Sequence, residues 1–418
     1  MPADTTGRER AEQLDRADPL AAFRERYVIS DPETVYLDGN SLGRLPVATR
    51  TRLHEVVEEW ATDLVAGWER WMEVGAQVAE VLAGVVGAGP DELTLADSTS
   101  VNLYKLARAA CAARPGRTVI LTDDDNFPTD RYILEGIAAG QGLTRRLLRT
   151  GLDTGVGTAD VAAALDGDVA LVCLSHVAYR SGAVADLPGV TRLAHDAGAL
   201  VLWDLSHSAG AVPVGLDEAG ADLAVGCTYK HLNGGPGAPA YLYVRRDLQD
   251  RLRQPIWGWF GQTDQFAMGP RYEPLPDIRR FQVGTPPVLS AYAALEGIRL
   301  TAEAGTARIA AKVGALGGYA VELVDAWLAP LGFHLASPRQ AERRGAHVTV
   351  QHPQAWQICQ ALRAARVIAD FRAPQRMRLG LAPLYTRFVD VHTGLSRLRD
   401  LVLAGSHESY SAEPAAIT

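Results

Sequence analysis

The sequence predicts an α/β protein, with a mainly parallel central sheet in a large unit followed by a smaller α+β unit. Three observations lead there. From about residue 118, short apolar runs alternate with helix-like stretches, the texture of a sheet covered on both faces. After about residue 305 long helical patterns are separated by only two strand-like runs. The 40 glycines and 23 prolines are spread along the chain rather than clustered, as many short connections require.

Taken in order, residues 50–66 place Leu53, Val56, Val57, Trp60 and Leu64 at helical spacing with charges between them. In DSTSVNLYKL (97–106), Ser100 is the expected N-cap, because Val101, Leu103, Leu106, Ala107 and Ala110 continue behind it at helical spacing. Residues 118–121, 169–174, 200–203, 222–226 and 238–244 are apolar enough for buried strands, and 187–197 has a helical pattern between them. Residues 307–327 and 354–365 then read as helices, and 346–351 and 377–382 as strands. The expected organisation is a segment 1–60 packing with the small unit, a large unit 61–305, a small unit 306–405 and a frayed tail 406–418.

Composition removes several classes of function. With 418 residues, 47% hydrophobic and 22% charged, the chain is neither globally disordered nor fibrous. A net charge of −8 without a basic stripe argues against a nucleic-acid partner. The polar amino terminus and the lack of any long uncharged apolar run argue against secretion and against a membrane partner. Cys111, Cys173, Cys227 and Cys359 lie far apart with no CxxC pair, which fits a reducing cytoplasm. Ten histidines show no HExxH spacing, so no metal is expected.

In sheets of this kind ligands bind beyond the carboxyl ends of the strands, and three features fall there. Asp204, in LVLWDLSHS, is a carboxylate directly after a buried strand and needs a cationic partner; alone it could equally cap a turn. His207 follows three residues later. Lys230 follows DLAVGCTY and precedes the glycine-rich HLNGGPG, a setting in which a partly desolvated lysine forms Schiff bases, although most lysines are simply solvated. The helix start at Thr99 and Ser100 offers hydroxyls and free N–H groups to a phosphate. Together, a phosphate cup, a carboxylate for a pyridine nitrogen and a lysine after the next strand are what pyridoxal phosphate (PLP) requires.

The chain also resembles the kynureninases, fold-type I PLP enzymes that hydrolyse the side chain of L-kynurenine to anthranilate and L-alanine. The matching segments are YLDGNSLGRLP (36–46), DSTSVNLYKL (97–106), DNFPTDRYI (125–133), WDLSHSAGAVPV (203–214), TYKHLNGGPGAPAY (228–241), GWFGQ (258–262), FQVGTPPVLS (281–290) and DFRAPQRMRLGLAPLYTRFVD (370–390). They span nearly the whole chain. The resemblance implies that Lys230 is the Schiff-base lysine and that Asp204 pairs with the pyridine nitrogen. It lays Phe127 on the ring face and Asp130 near the ring hydroxyl. Thr99, Ser100, Ser175 and Tyr229 gather around the phosphate and ring, and His207 stands beside the cofactor. Trp259 and Thr285 resemble residues supplied by a neighbouring subunit, which implies a homodimer with shared sites.

For the substrate, the resemblance makes Arg378 the carboxylate-binding arginine, with Arg372 and Arg376 expected to be solvated. Asn40 and Ser41 line the amino-acid end. Trp68 and Thr285 resemble the bacterial pattern associated with L-kynurenine rather than its 3-hydroxylated form. Tyr229 is the expected proton relay to the departing carbon. His231 departs from the family, which commonly has Tyr there.

Three readings compete. A cysteine desulfurase needs a reactive cysteine ahead of the carboxylate arginine, yet Cys359 lies in the helical pattern WQICQALRAA, where burial is expected. An aminotransferase needs an amino acceptor. A catalytically silent binding subunit should have lost Lys230 or Asp204, and both are present. Tryptophan breakdown and a specialised biosynthetic route both remain open.

Overall fold

The structure is a computed structural model that describes residues 6–413. Its centre is a seven-stranded sheet of β1 (Leu93–Leu95), β2 (Val119–Asp123), β3 (Thr144–Leu148), β4 (Val169–Ser175), β5 (Leu200–Asp204), β6 (Leu223–Gly226) and β7 (Tyr241–Val244). The spatial order is β1-β7-β6-β5-β4-β2-β3. Strands β6, β5, β4, β2 and β3 pair in parallel, whereas β7 is antiparallel to both β6 and β1. Every residue of β2, β5, β6 and β7 is buried, because helices cover both faces. Leu103, Leu106 and Ala110 of the helix Thr99–Ala112 close one face. Val78, Leu82 and Val86 of Val74–Val86, with Leu295 and Ile298 of Val288–Ala304, close the other.

A second, four-stranded antiparallel sheet is formed by β8 (His334–Leu335), β9 (His347–Gln351), β10 (Asp370–Arg372) and β11 (Arg376–Gly380), in the order β10-β11-β9-β8. The helices Thr306–Leu323, Ala355–Ala364 and Phe388–Leu403 pack against it around their own apolar core.

Four expectations change. Segment 1–60 does not act as one piece: Ala11, Val35 and Leu37 join the core of the small unit, but Val56 joins that of the large one. Of the stripe read on residues 50–66, Val57, Trp60 and Leu64 face outward. The N-cap of Thr99–Ala112 is Ser98, whose hydroxyl accepts from Val101 N at 3.4 Å; this frees Ser100 to face the site. The tail is placed as far as Glu413, with a 3-10 turn at Ser406–Ser409 and Tyr410 O accepting from Gln357 Nε2 at 3.0 Å. Residues 414–418 of that expected tail lie outside the described part. Strand β3, TRRLL, is half-exposed at the sheet edge and carries no apolar run to reveal it.

Behind the start of Thr99–Ala112, Lys105 is fully buried and donates to Asp97 Oδ2 at 2.6 Å and to Phe281 O at 2.7 Å. This ties down Asp97, which has φ +45° in the left-handed region. Lys105→Met should strand both acceptors and destabilise the fold by about 1–3 kcal/mol, read as a lower urea midpoint; an unchanged midpoint would remove Lys105 as the anchor of this turn.

Candidate active site

The strand order reverses at β2, with β3 on one side and β4 on the other, so a crevice opens beyond the carboxyl ends of β2 and β4. Parallel register then fixes what enters it. Ser175 at the end of β4 stands opposite Asp204 at the end of β5, and Asp204 stands opposite Val225 of β6, just ahead of the loop that carries Lys230. A cavity at this edge brings together Thr99, Ser100, Phe127, Asp130, Ser175, Asp204, His207, Tyr229 and Lys230.

Lys230 is distinguished by elimination. The chain has three lysines, Lys105, Lys230 and Lys312. Lys105 is paired with Asp97 and Lys312 with Asp18, each at 2.6 Å and buried. Lys230 instead places Nζ 3.0 Å from His207 Nε2 and 5.9 Å from the centroids of both the Phe127 and Tyr229 rings.

Asp204 is buried and accepts from Ser206 N at 2.8 Å through Oδ1. Burial, and then the negative charge of Asp204, hold the Asp130 carboxyl well above the usual carboxylate range. Its Oδ2 has no hydrogen-bond partner among the described residues. Two adjoining carboxyls, one inclined to keep its proton, suit a ring with a protonated nitrogen and a neighbouring hydroxyl. Pro128 and the exposed ring of Phe127 begin the helix Pro128–Gln141, and Phe127 meets Tyr179 edge-on at 5.4 Å. Asn126, which sequence reasoning missed, holds this loop: its Oδ1 accepts from Ser175 Oγ (2.7 Å) and Phe127 N (2.8 Å), and its Nδ2 donates to Thr122 Oγ1 (3.2 Å). Its position as a polar residue directly before FPTD was the available signal. These residues fit PLP: a helix start for the phosphate, an acid pair for the ring, an aromatic for its face and a lysine for its aldehyde.

Arg378, on β11, is almost fully buried and clamped. Asp370 takes Nε at 2.8 Å and also Nη2, Tyr179 O takes Nη1 at 2.7 Å, and Ser41 Oγ takes Nη2 at 3.1 Å. Asn40, in the amide orientation that satisfies both its polar atoms, accepts from Nη2 (3.2 Å) and Nε (3.3 Å). Burial and the nearby charge of Asp370 push the Asp38 carboxyl up to about 6. Arg372 and Arg376 are not solvated as expected. Arg372 pairs with Asp370 at 2.8 Å, and buried Arg376 reaches Leu152 O and Asp153. Asp370 and Asp153 are distant in sequence from the arginines they neutralise or meet them across a turn, so spacing could not reveal the pairs.

Besides Arg378, Asn40 and Ser41, which gather around the clamp, three expected site residues stay outside the Lys230 cavity. Trp68 is exposed and packs edge-on against Trp71 at 5.6 Å. Trp259 is exposed beside Phe260 and Phe266. Thr285 lines an adjoining cleft of about 680 Å³ together with Ser41, Leu42, Asp97 and Tyr229.

Comparison with known proteins adds independent findings. Residues 309–398 match the family model described as the kynureninase C-terminal domain. The chain is 42% identical to the kynureninase of Pseudomonas fluorescens over 398 residues, 93% of this chain and 94% of that protein. It is also 42% identical to that of Burkholderia mallei over 402 residues, 94% and 95% of the two chains. Among solved structures it resembles a cysteine desulfurase from Thermococcus onnurineus NA1, with TM-score 0.79, 19% identity and coverage of 94% and 98%. It also resembles a C-DES variant with glycine covalently linked to its PLP cofactor, with TM-score 0.76, 21% identity and coverage of 88% and 97%. At these identities the structural likeness establishes the fold, fold-type I.

The site also predicts acid sensitivity. Burial holds His176 down to about 4 and His231 down to about 3, whereas an unfolded histidine takes up its proton near 6.5. The folded values are the lower ones, so this stability is present above pH 6.5 and is lost as the pH falls toward 4, by about 1.4 kcal/mol per pH unit for each histidine. Urea unfolding followed from pH 7 to pH 5 should show the decline, and His231→Gln should flatten it; a slope unaffected by the substitution would contradict the assignment.

Proposed function

The chain belongs to the kynureninase family, and from that premise we propose how the residues at the strand ends divide the reaction. It is a PLP-dependent enzyme that hydrolyses the Cβ–Cγ bond of L-kynurenine, consuming one water and giving anthranilate and L-alanine. When bound, PLP supplies an electron-poor ring that stabilises negative charge developed at the substrate's Cα. The observation that carries the assignment is Lys230: of three lysines, it alone enters the crevice, on the loop that follows β6, the strand next to the one that delivers Asp204.

In this reading Lys230 Nζ would hold the cofactor and would be the base that takes the substrate's Cα proton. Asp204 holds the ring nitrogen protonated, with Asp130 beside it facing the ring hydroxyl. Thr99 and Ser100 bind the phosphate, Phe127 covers the ring, and Ser175 and His207 fix its edges. Arg378, aimed by Asp370 and Tyr179 O, binds the substrate carboxylate with Asn40 and Ser41. Tyr229, which borders both the Lys230 cavity and the Thr285 cleft, delivers a proton to the carbon left after cleavage.

We infer a homodimer in which Trp259 and Thr285 complete the partner's site. Trp257, Trp259, Phe266 and Met268 are exposed in one segment, and Val57, Trp60, Leu64, Val65 and Trp68 in another; apolar surface on this scale marks an interface. Trp68 and Thr285 then shape the aryl pocket for unsubstituted kynurenine. A cytoplasmic setting accords with four free cysteines, all buried. Cys359 lies in the helix Ala355–Ala364, and burial pushes its thiol up, so the chain offers no reactive cysteine of the kind a desulfurase uses.

The purified protein supplied with PLP should release anthranilate from L-kynurenine faster than 3-hydroxyanthranilate from the 3-hydroxylated substrate. Lys230→Ala should lower turnover by at least about 10³-fold. Release of neither aryl amine by the unaltered protein would defeat the reading. A second variant tests the carboxylate end: a Cβ at Gly380 would overlap the side-chain amide of Asn40, so Gly380→Ala should displace Asn40 and raise KM about tenfold or more, near 1.4 kcal/mol, while cofactor absorbance is retained. An unchanged KM would remove Asn40 from the substrate contacts.

A further inference from the structure

Three buried histidines from different elements meet behind Lys230, and only one of them has a role in the reaction described so far. His207 follows β5, His231 follows Lys230, and His347 opens β9. The His207 ring centroid lies 5.7 Å from that of His347 and 6.4 Å from that of His231. Their exposures are 6%, 5% and 0% for His207, His231 and His347. His207 Nε2 meets Lys230 Nζ at 3.0 Å. The remaining nitrogens, His207 Nδ1 and both ring nitrogens of His231 and His347, have no hydrogen-bond partner among the described residues.

Burial, followed by the positive charges of Lys230 and Arg378, keeps His207 and His231 neutral, and burial, followed by Arg378, does so for His347. A neutral imidazole has one donor and one acceptor, and such groups are costly to bury unsatisfied. A converging set of them is the setting in which buried water is held. A metal ion does not suit the place: two cationic side chains flank it, and among the described residues no group of three or more His, Cys, Asp or Glu is arranged to hold one. The loop bearing Gly182 seals the far side. Gly182 has φ +73°, and a Cβ there would lie 2.9 Å from His347 O and 3.2 Å from its Nε2.

We propose that His231 and His347 are positioning residues which, through ordered water, extend His207 into a buried proton relay serving Lys230. The inference rests on Lys230 acting as the base at Cα. After Lys230 Nζ has taken the Cα proton, one proton passes from Nζ to His207 Nε2 as His207 releases the one on Nδ1 to water held by His231 and His347. Only N–H and O–H bonds are exchanged, no electron is transferred, and the reverse sequence restores Lys230. The hydrogen removed from Cα is thereby diluted into the relay instead of being handed straight back.

The test is exchange of the α-hydrogen of L-alanine with D2O by the PLP-loaded enzyme, followed by proton NMR, which needs no Cβ–Cγ cleavage. His347→Leu should exchange several-fold more slowly than the unaltered enzyme, and His347→Gln, which still offers a donor and an acceptor to water, should stay close to it; both should retain cofactor absorbance. Exchange by His347→Leu at the unaltered rate, or equal slowing by Leu and Gln, would overturn the relay. If His347→Leu does not fold, His231→Leu and His231→Gln give the same comparison. Failure of the unaltered enzyme to release anthranilate would count against the hydrolase reading alone.

Discussion

The parallel register of β4, β5 and β6 is the constraint on which the site depends. Because Ser175 pairs with Asp204 and Asp204 with Val225, the carboxylate, its neighbour and the approach to the lysine loop arrive at one edge without any of them being placed separately. Parallel pairing needs crossover connections and two covered faces, which explains why so much of the chain is devoted to helices around strands of four to seven residues. A one-residue slip in this register would turn Asp204 out of the crevice.

The clamp around Arg378 is built differently, from pieces that have no contact in sequence. Arg378 comes from the second sheet, Tyr179 O from the loop after β4, and Ser41 from the turn near the amino terminus. Backbone bonds tie these regions to the rest of the large unit and to one another: Gly43 N donates to Tyr229 O in the Lys230 loop, Gly345 N to Gly182 O and Val184 N to Arg343 O. The full clamp on Arg378 therefore exists only when the small unit is seated on the large one.

Much of this was legible in the sequence, and what escaped has a common cause. Strands buried on both faces are nearly continuous apolar runs, so β2, β4, β5, β6 and β7 are legible within a few residues, and Asp204 and Lys230 can be read as residues at or after their ends. The edge strand β3 was not, since its TRRLL must satisfy water on one side. Ser98 and Ser100 compete for one cap, and only the backbone decides between them. Asn126, Asp370 and the His207–His231–His347 cluster depend on contacts between distant segments, which no local pattern encodes. The outward-facing stripe of Val57, Trp60 and Leu64 kept helical spacing but concealed which way the helix turned, since an interface and a core ask for the same residues.

The central claim, that Lys230 is the lysine joined to PLP, has a direct test because only three lysines are available. Borohydride reduction of the PLP-loaded enzyme, followed by digestion and mass mapping, should place the phosphopyridoxyl group on the peptide containing Lys230 and leave Lys105 and Lys312 unmodified. A label on either of the other two, or no label on Lys230, would contradict the account.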